Sequence, residues 1–324
     1  MPLHAGLVGQ RIVVRHLLPG EQGPTGGPAM SDVLGILETW DETSISVRRE
    51  GGELVTISRE HIVTGKPVPP RASTRLRINP EQLERECQRG WRAVNERELG
   101  DWTLRAAGGF TGRANSVRVG GDPGLPLVDA VDEVTRFYGG HGLRPMAQVV
   151  VGSGGQRDFE SLGWQPLQTG PDPIVQVASV AQARRQVSAR SRPAAVTIDD
   201  SVGADWLGHY ERAAGLDTAV VTQVLQSGDD VAFARVGDPV VAIGRGVVSG
   251  DWLGLQAVEV APSHRRQGLA TAVVEALLEW GASRGALSAY LQTLPDNVGA
   301  LRLYSGFGFA THHSYRYLVP PTAQ

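Results

Sequence analysis

Seven residues, Arg265-Arg-Gln-Gly-Leu-Ala-Thr271, join a strand-like segment to an apolar-striped helix, and they have the composition of a phosphate site. Upstream, Leu255-Gln-Ala-Val-Glu-Val260 alternates and is closed by Ala261-Pro262, while downstream Leu269, Val273, Leu277 and Trp280 recur at helical spacing. The first amides of a helix have no acceptor within it, and together with the helix dipole they attract an anion. Gly268 lets a phosphate approach the main chain, Ala270 keeps the next contact small, and Arg265 and Arg266 add positive charge. The competing reading is a helix start that merely packs well. Other chemistries are excluded more simply. Cys87 is the single cysteine, so the chain has no internal disulfide and no cysteine zinc site, and this residue reads as core. Ser, His and Asp form no evident nucleophile triad, and Cys87 lies in the wrong segment for a relay nucleophile.

The elements that must position this loop follow from patterning along 324 residues, enough for two domains, or three if one is small. Hydrophobic residues at 41% and charged residues at 20% match an ordinary globular chain and exclude a disordered or collagen-like one. A net charge of -3 offers no overall attraction to nucleic acid or to an anionic membrane. No apolar run approaches the ~20 residues that span a bilayer, and Met1 to Gln10 lacks a leader pattern, so a cytoplasmic address is expected. Arg11–Arg15, Val33–Leu37, Ser44–Arg48 and Leu54–Ser58 read as short strands of a small antiparallel barrel, with a turn at Gly51-Gly52. Leu18 to Met30, rich in Gly and Pro, reads as a long loop, and Lys66 to Arg71 as a stiff linker.

Asn79 and Pro80 then signal a helix start, with Leu83, Cys87, Trp91 and Val94 at helical spacing. Strands are expected at Trp102–Arg105, Asn115–Val119 and Ala147–Val151, with a helix through Leu127, Val131, Val134 and Tyr138. Ala181 to Pro193, carrying Arg184, Arg185, Arg190 and Arg192, reads as a solvated basic linker rather than an RNA-binding segment. The remaining residues give a strand, two helices, three strands, then helix, strand, helix and strand, which makes the fold class α/β (α+β) with mixed sheets flanked by helices.

That order, with the phosphate loop after its fourth strand, resembles the GNAT superfamily of acetyl-CoA dependent N-acetyltransferases. The family signature R/Q-x-x-G-x-G/A maps onto Arg265, Arg266, Gln267, Gly268, Leu269 and Ala270, and the resemblance implies that the amides after the arginine, Arg266 through Thr271, hold the pyrophosphate of acetyl-CoA. It further implies that Val258 and Val260 pair their backbone with the pantetheine arm. Asn297, Ala300, Leu303, Tyr304 and Gly306-Phe307-Gly-Phe309 are similar to the family ending, in which Asn297 bonds the pantetheine and Tyr304 donates a proton to the departing thiolate. Read as residues alone, Asn297 is equally a helix cap and Tyr304 a side chain packed against the sheet.

Attack on a thioester needs an uncharged amine, and therefore a base or a water chain. Glu259 is a candidate by strand alternation, or else an ordinary ion-paired carboxylate; His264, His312 and His313 are further options that read as surface residues. Where relatives that act on protein N-termini carry a glutamate, this chain has Gln292, which cannot act as a base.

The resemblance extends over nearly the whole chain in three parts: an SH3-like barrel at 1–70, a degenerate GNAT-like half at 71–192 and a catalytic GNAT domain at 193–324. In the middle part Gly120–Pro126 has no loop arginine and Asp122 opposes phosphate, and Arg105, Arg113 and Asn115 read as structural residues, with gripping a carboxylate as the alternative. Similar actinobacterial three-part proteins have been associated with N-acetylglutamate synthesis, which implies L-glutamate or another small amine as acceptor, no metal, and a monomer or homodimer. The alternatives are a protein lysine or N-terminal acetyltransferase, or a non-catalytic acyl-CoA sensor whose barrel contacts a protein partner.

Overall fold

In the computed structural model, residues 3–23, 26–49, 52–68, 77–167, 170–187 and 195–321 are described, and the chain divides into two units, 1–72 and 73–324. The first unit is a small barrel-like sheet of β1 (Arg11–Gln22), β2 (Pro28–Trp40), β3 (Ser44–Arg49), β4 (Leu54–Ser58) and β5 (Ile62–Pro67), antiparallel throughout in the order β4-β3-β2-β1-β5. Alternation turns Ile12, Val14, Val33, Leu37, Ile45, Val47 and Ile57 inward as its core. The expected loop at Leu18–Met30 is mostly strand. Backbone pairing continues through Leu17↔Met30 to Gln22↔Pro28, because a hairpin ladder needs no buried side chains to persist. Lys66 and Pro67 close β5 rather than open a linker, and Pro69 to Arg71, like Gly51, lie outside the described residues.

The second unit opens with α1 (Pro80–Arg89), where the Asn79 side chain accepts from the Glu81 amide and Pro80 takes the first position as the sequence predicts. The helix stops at Arg89, so Trp91 and Val94 lie beyond it. There follow β6 (Asn95–Leu99), β7 (Trp102–Ala106), β8 (Val117–Arg118), α2 (Leu127–Gly140), β9 (Ala147–Val150), α3 (Gly154–Ser161), β10 (Gln165–Pro166), β11 (Ile174–Ser179) and α4 (Val180–Val187). The strand expected at Asn115–Val119 is confined to Val117–Arg118, and Asn115 ends a 3-10 turn that starts at Arg113. The basic stretch from Ala181 begins as helix α4, with Ala183 fully buried and Arg184 paired to Glu279, and residues 188–194 lie outside the description.

The rest runs β12 (Val196–Asp199), α5 (Ala204–His209), α6 (Thr218–Leu225), β13 (Asp230–Val236), β14 (Ala242–Ser249), β15 (Trp252–Val260), α7 (Leu269–Ser283), β16 (Ser288–Thr293), α8 (Val298–Gly306) and β17 (Ala310–Val319), in the predicted order. Twelve strands form one sheet, β12-β13-β14-β15-β16-β11-β17-β9-β8-β7-β6, with β10 on β17. Strand β11 inserts between β16 and β17, and β17 reaches across to β9, so each half supplies a strand to the other's neighbourhood.

One face of the later half is sealed by α7 through Val273, Val274, Leu277 and Leu278 against Leu253 and Leu255. The other face carries Trp91, Phe110, Trp206, Tyr210 and Phe233 beneath α5 and α6. Leu277 is completely buried, so Leu277→Ala is expected to cost about 2–5 kcal/mol of unfolding free energy, measurable by urea titration.

Candidate active site

Strands β15 and β16 run parallel only from Trp252↔Ser288 to Leu255↔Leu291 and then part. The cause lies in β15, where the register against β14 slips between Arg245↔Gln256 and Ile243↔Glu259, and Ala257 takes a positive φ of 50°. Such a bulge bends its strand and ends pairing on the far side. Ala261 N–H donates to the Val241 carbonyl at 2.9 Å, so ladder alternation commits the backbone of Glu259 to β14 and turns that of Val260 toward the opened gap. There the Val260 carbonyl accepts from Arg265 Nε at 3.2 Å, and Val258 sits at the bulge itself.

At the mouth of the gap, Arg266 (φ 61°) and Gly268 (φ 81°) swing the chain into α7. Among the described residues, no acceptor takes the amides of Arg266, Gln267, Gly268, Leu269, Ala270 or Thr271, and no side chain caps the helix. Space around Gly268 is open, with nothing within 4 Å of where a Cβ would stand. Six consecutive donors at a helix start, bordered by two exposed arginines, fit a diphosphate, so the residues present match the group expected there. The Gln267 side chain turns back to the Ser263 carbonyl.

Glu259 is half-buried on the face opposite α7, where its Oε2 accepts from the Glu211 amide at 3.1 Å. Burial holds its carboxyl above the ordinary range, opposed in part by the hydrogen bond it accepts from the Glu211 amide. Tyr304 on α8 is 6% exposed and packs edge-on to Phe309, and burial raises its phenol well above the usual value. Asn297 does cap α8, accepting from the Ala300 amide at 3.1 Å, which leaves its Nδ2 to donate elsewhere.

The histidines diverge from expectation. His264 stays near the loop, bonded to Ser263, but His313 is not a surface residue. Its ring meets Glu84 at 2.9 Å with both side chains about 5% exposed, and Glu84 accepts in turn from Gln148, which accepts from Arg105. His312 joins this tie through His313 and the Ile78 carbonyl. Arg105 is thereby spent inside the core, and Asn115 spends its amide on Ala107, Gly109, Phe110 and Thr111, so neither faces a ligand. Asp122 accepts from the Gly124 amide within its own turn.

Arg113 alone of the three lines a cavity, one of about 400 Å³ at the end of β16. Arg212, Gln292, Tyr315 and Tyr317 share its wall, and Arg113 donates to the Gln292 Oε1. Sequence reasoning singled out Gln292 as a missing base; its partner comes from 179 residues upstream, a pairing no local pattern displays. Thr111, Ala257 and Arg266 are the non-glycine residues of positive φ among the described residues, and all three border the gap, the loop or this cavity.

A mixed sheet splayed beside an uncapped helix start is the architecture of GNAT acetyltransferases, and the enzyme is an N-acetyltransferase of that type. It belongs to the family described as "Probable histone acetyltransferase Rv0428c C-terminal", matched over residues 80–318, and residues 7–66 match the accompanying N-terminal Sm-like domain. The chain is 27% identical over 330 residues to the probable histone acetyltransferase Rv0428c of Mycobacterium tuberculosis, covering 96% of this chain and 95% of that one. It is also 27% identical over 254 residues to the uncharacterized N-acetyltransferase YobR of Bacillus subtilis, covering 72% and 97%. A GCN5-related N-acetyltransferase from Kribbella flavida shares the fold at a TM-score of 0.54 and 16% identity, over 75% of this chain and 96% of that structure. The barrel is thus small and Sm-like, and no helix among the described residues is long and apolar enough to cross a membrane.

Proposed function

We propose that the enzyme moves an acetyl group from acetyl-CoA to a primary amine by direct attack, with the pyrophosphate on the amides of Arg266 to Thr271 and Arg265 beside them. The observation that carries this is the run of six acceptor-free amides opening onto the gap between β15 and β16. Val258 and Val260 line the pantetheine there through their main chain, and Asn297 Nδ2 donates to it. Bound acetyl-CoA supplies an activated acyl carbonyl. Glu259, raised toward neutrality by burial, takes the proton that leaves the amine, and Tyr304 holds a proton for the departing sulfur. Residues 193–324 act as the catalytic domain, 71–192 as a degenerate half that shapes the acceptor side, and 1–70 as the barrel.

Calorimetry with acetyl-CoA and thiol release over an amine panel test the reading. The panel contains L-glutamate, other amino acids, diamines and lysine peptides; coenzyme binding without turnover on any amine favours an acyl-CoA sensor instead. Glu259→Gln is expected to lower kcat by roughly 10–100-fold with acetyl-CoA affinity unchanged, read from the same two assays.

A further inference from the structure

We infer that His312, His313 and Glu84 form a latch that fastens α1 to β17, closed by one shared proton and released when that proton leaves as pH rises. The hydrogen bonds fix the proton count. His312 Nε2 is 2.9 Å from the Ile78 carbonyl, which can only accept, so this nitrogen carries hydrogen. The two Nδ1 atoms of His312 and His313 face each other at 2.8 Å, and a hydrogen must lie between them. His313 Nε2 stands 2.9 Å from Glu84 Oε1, a contact that needs another. The second oxygen of Glu84 is already an acceptor: Arg105 can only donate to Gln148 Oε1, which turns the Gln148 Nε2 toward Glu84 at 2.7 Å. Three hydrogens therefore serve two imidazoles and one carboxyl group, one more than two neutral rings and a carboxylate hold.

Burial and the facing His313 push His312 down, which leaves the added proton on the contact between His313 and Glu84, whose side chains are 6% and 5% exposed. Arg105 and Arg118 face Glu84 from β7 and β8 and favour its ionised form, so the contact is an imidazolium against a carboxylate. Cys87 on α1 and Tyr315 and Tyr317 on β17 also face Glu84, and burial pushes each of them up, so they stay neutral while the latch titrates. Loss of the proton sets either two ring lone pairs against each other or a lone pair against the carboxylate, and both arrangements break the tie. An unfolded chain gives up this proton at about pH 6.5, the ordinary imidazole value, whereas the folded array keeps it; folding above that pH binds one proton more, and the latch weakens as pH rises. Below about pH 6.5 the unfolded chain takes a proton on each ring where the array has room for one, so acid weakens it too. Helix α1 leads directly into Trp91, over whose ring Arg113 of the β16 cavity lies at 4.6 Å, so release loosens one support of that cavity.

Backbone hydrogen exchange on the full chain, corrected for its intrinsic pH dependence and followed by mass spectrometry, tests the latch. Glu84→Gln offers its own N–H to His313 Nε2 and accepts from Gln148 with its oxygen, so it closes the same tie with neutral rings and needs no added proton. Between pH 7 and 9, protection across α1 is expected to fall at least 10-fold in the wild type relative to this variant. Parallel protection in the two proteins overturns the inference. Ring nitrogen NMR shifts of the wild type give a second reading that does not depend on the variant folding. At pH 7.5 three of the four nitrogens of His312 and His313 are expected to carry hydrogen, and a finding of two overturns the inference.

Discussion

Gly268→Asp is expected to weaken acetyl-CoA binding by more than 100-fold while leaving the fold intact. The position has φ 81° and no neighbour within 4 Å of the new Cβ, and aspartate is among the side chains that best tolerate the left-handed region. Strain is therefore limited to about 1 kcal/mol. The new carboxylate, however, stands where the diphosphate would lie. At an effective dielectric of about 20 and a separation of about 5 Å, each pair of like charges costs roughly 3 kcal/mol, enough for two orders of magnitude in affinity. Gly268→Asn carries the same shape without the charge, and is expected to lose less than 10-fold. Calorimetry on the three proteins separates charge from strain, and equal weakening by Asn and Asp would remove the diphosphate from this loop.

Tyr304→Phe is expected to lower kcat by about 100-fold with acetyl-CoA affinity within about 2-fold of wild type. The change deletes one oxygen and preserves the packing against Phe309, so the fold is undisturbed. Burial keeps the phenol protonated at neutral pH, so its hydroxyl is present as a hydrogen-bond donor to the departing sulfur and does not rest as a base, while the same shift makes it a weaker acid. Thiol release against time, at saturating amine, measures the first quantity and calorimetry the second. A parallel loss in both would mean that Tyr304 shapes the coenzyme groove rather than moving a proton.

The features legible in the sequence are those encoded within a short window. The strand Leu255–Val260, the loop through Gly268, the stripe Leu269, Val273 and Leu277, and the Asn79-Pro80 helix start all emerge from periodicity and local backbone preference. Segments whose structure depends on remote partners were not legible. Helix α4 looks like a basic linker because, among its described side chains, only Val180 and Ala183 reach the core, and the β1–β2 hairpin looks like a loop because main-chain pairing leaves no mark on composition. His313 reads as surface until β17 crosses to α1 and meets Glu84.

By itself, then, the sequence determines the loop proposed here for the coenzyme, since an anion-binding helix start is built from consecutive amides and needs only a glycine, a strand before it and a helix after it. The cavity at the end of β16 was decided by tertiary structure alone. Arg113, Arg245 and Gln292 come from separate strands and turns and meet around Trp91 only because β11 and β17 knit the two halves into one sheet. A charge balance inside such a pocket depends on distances between residues far apart in the chain, and linear spacing carries no record of them.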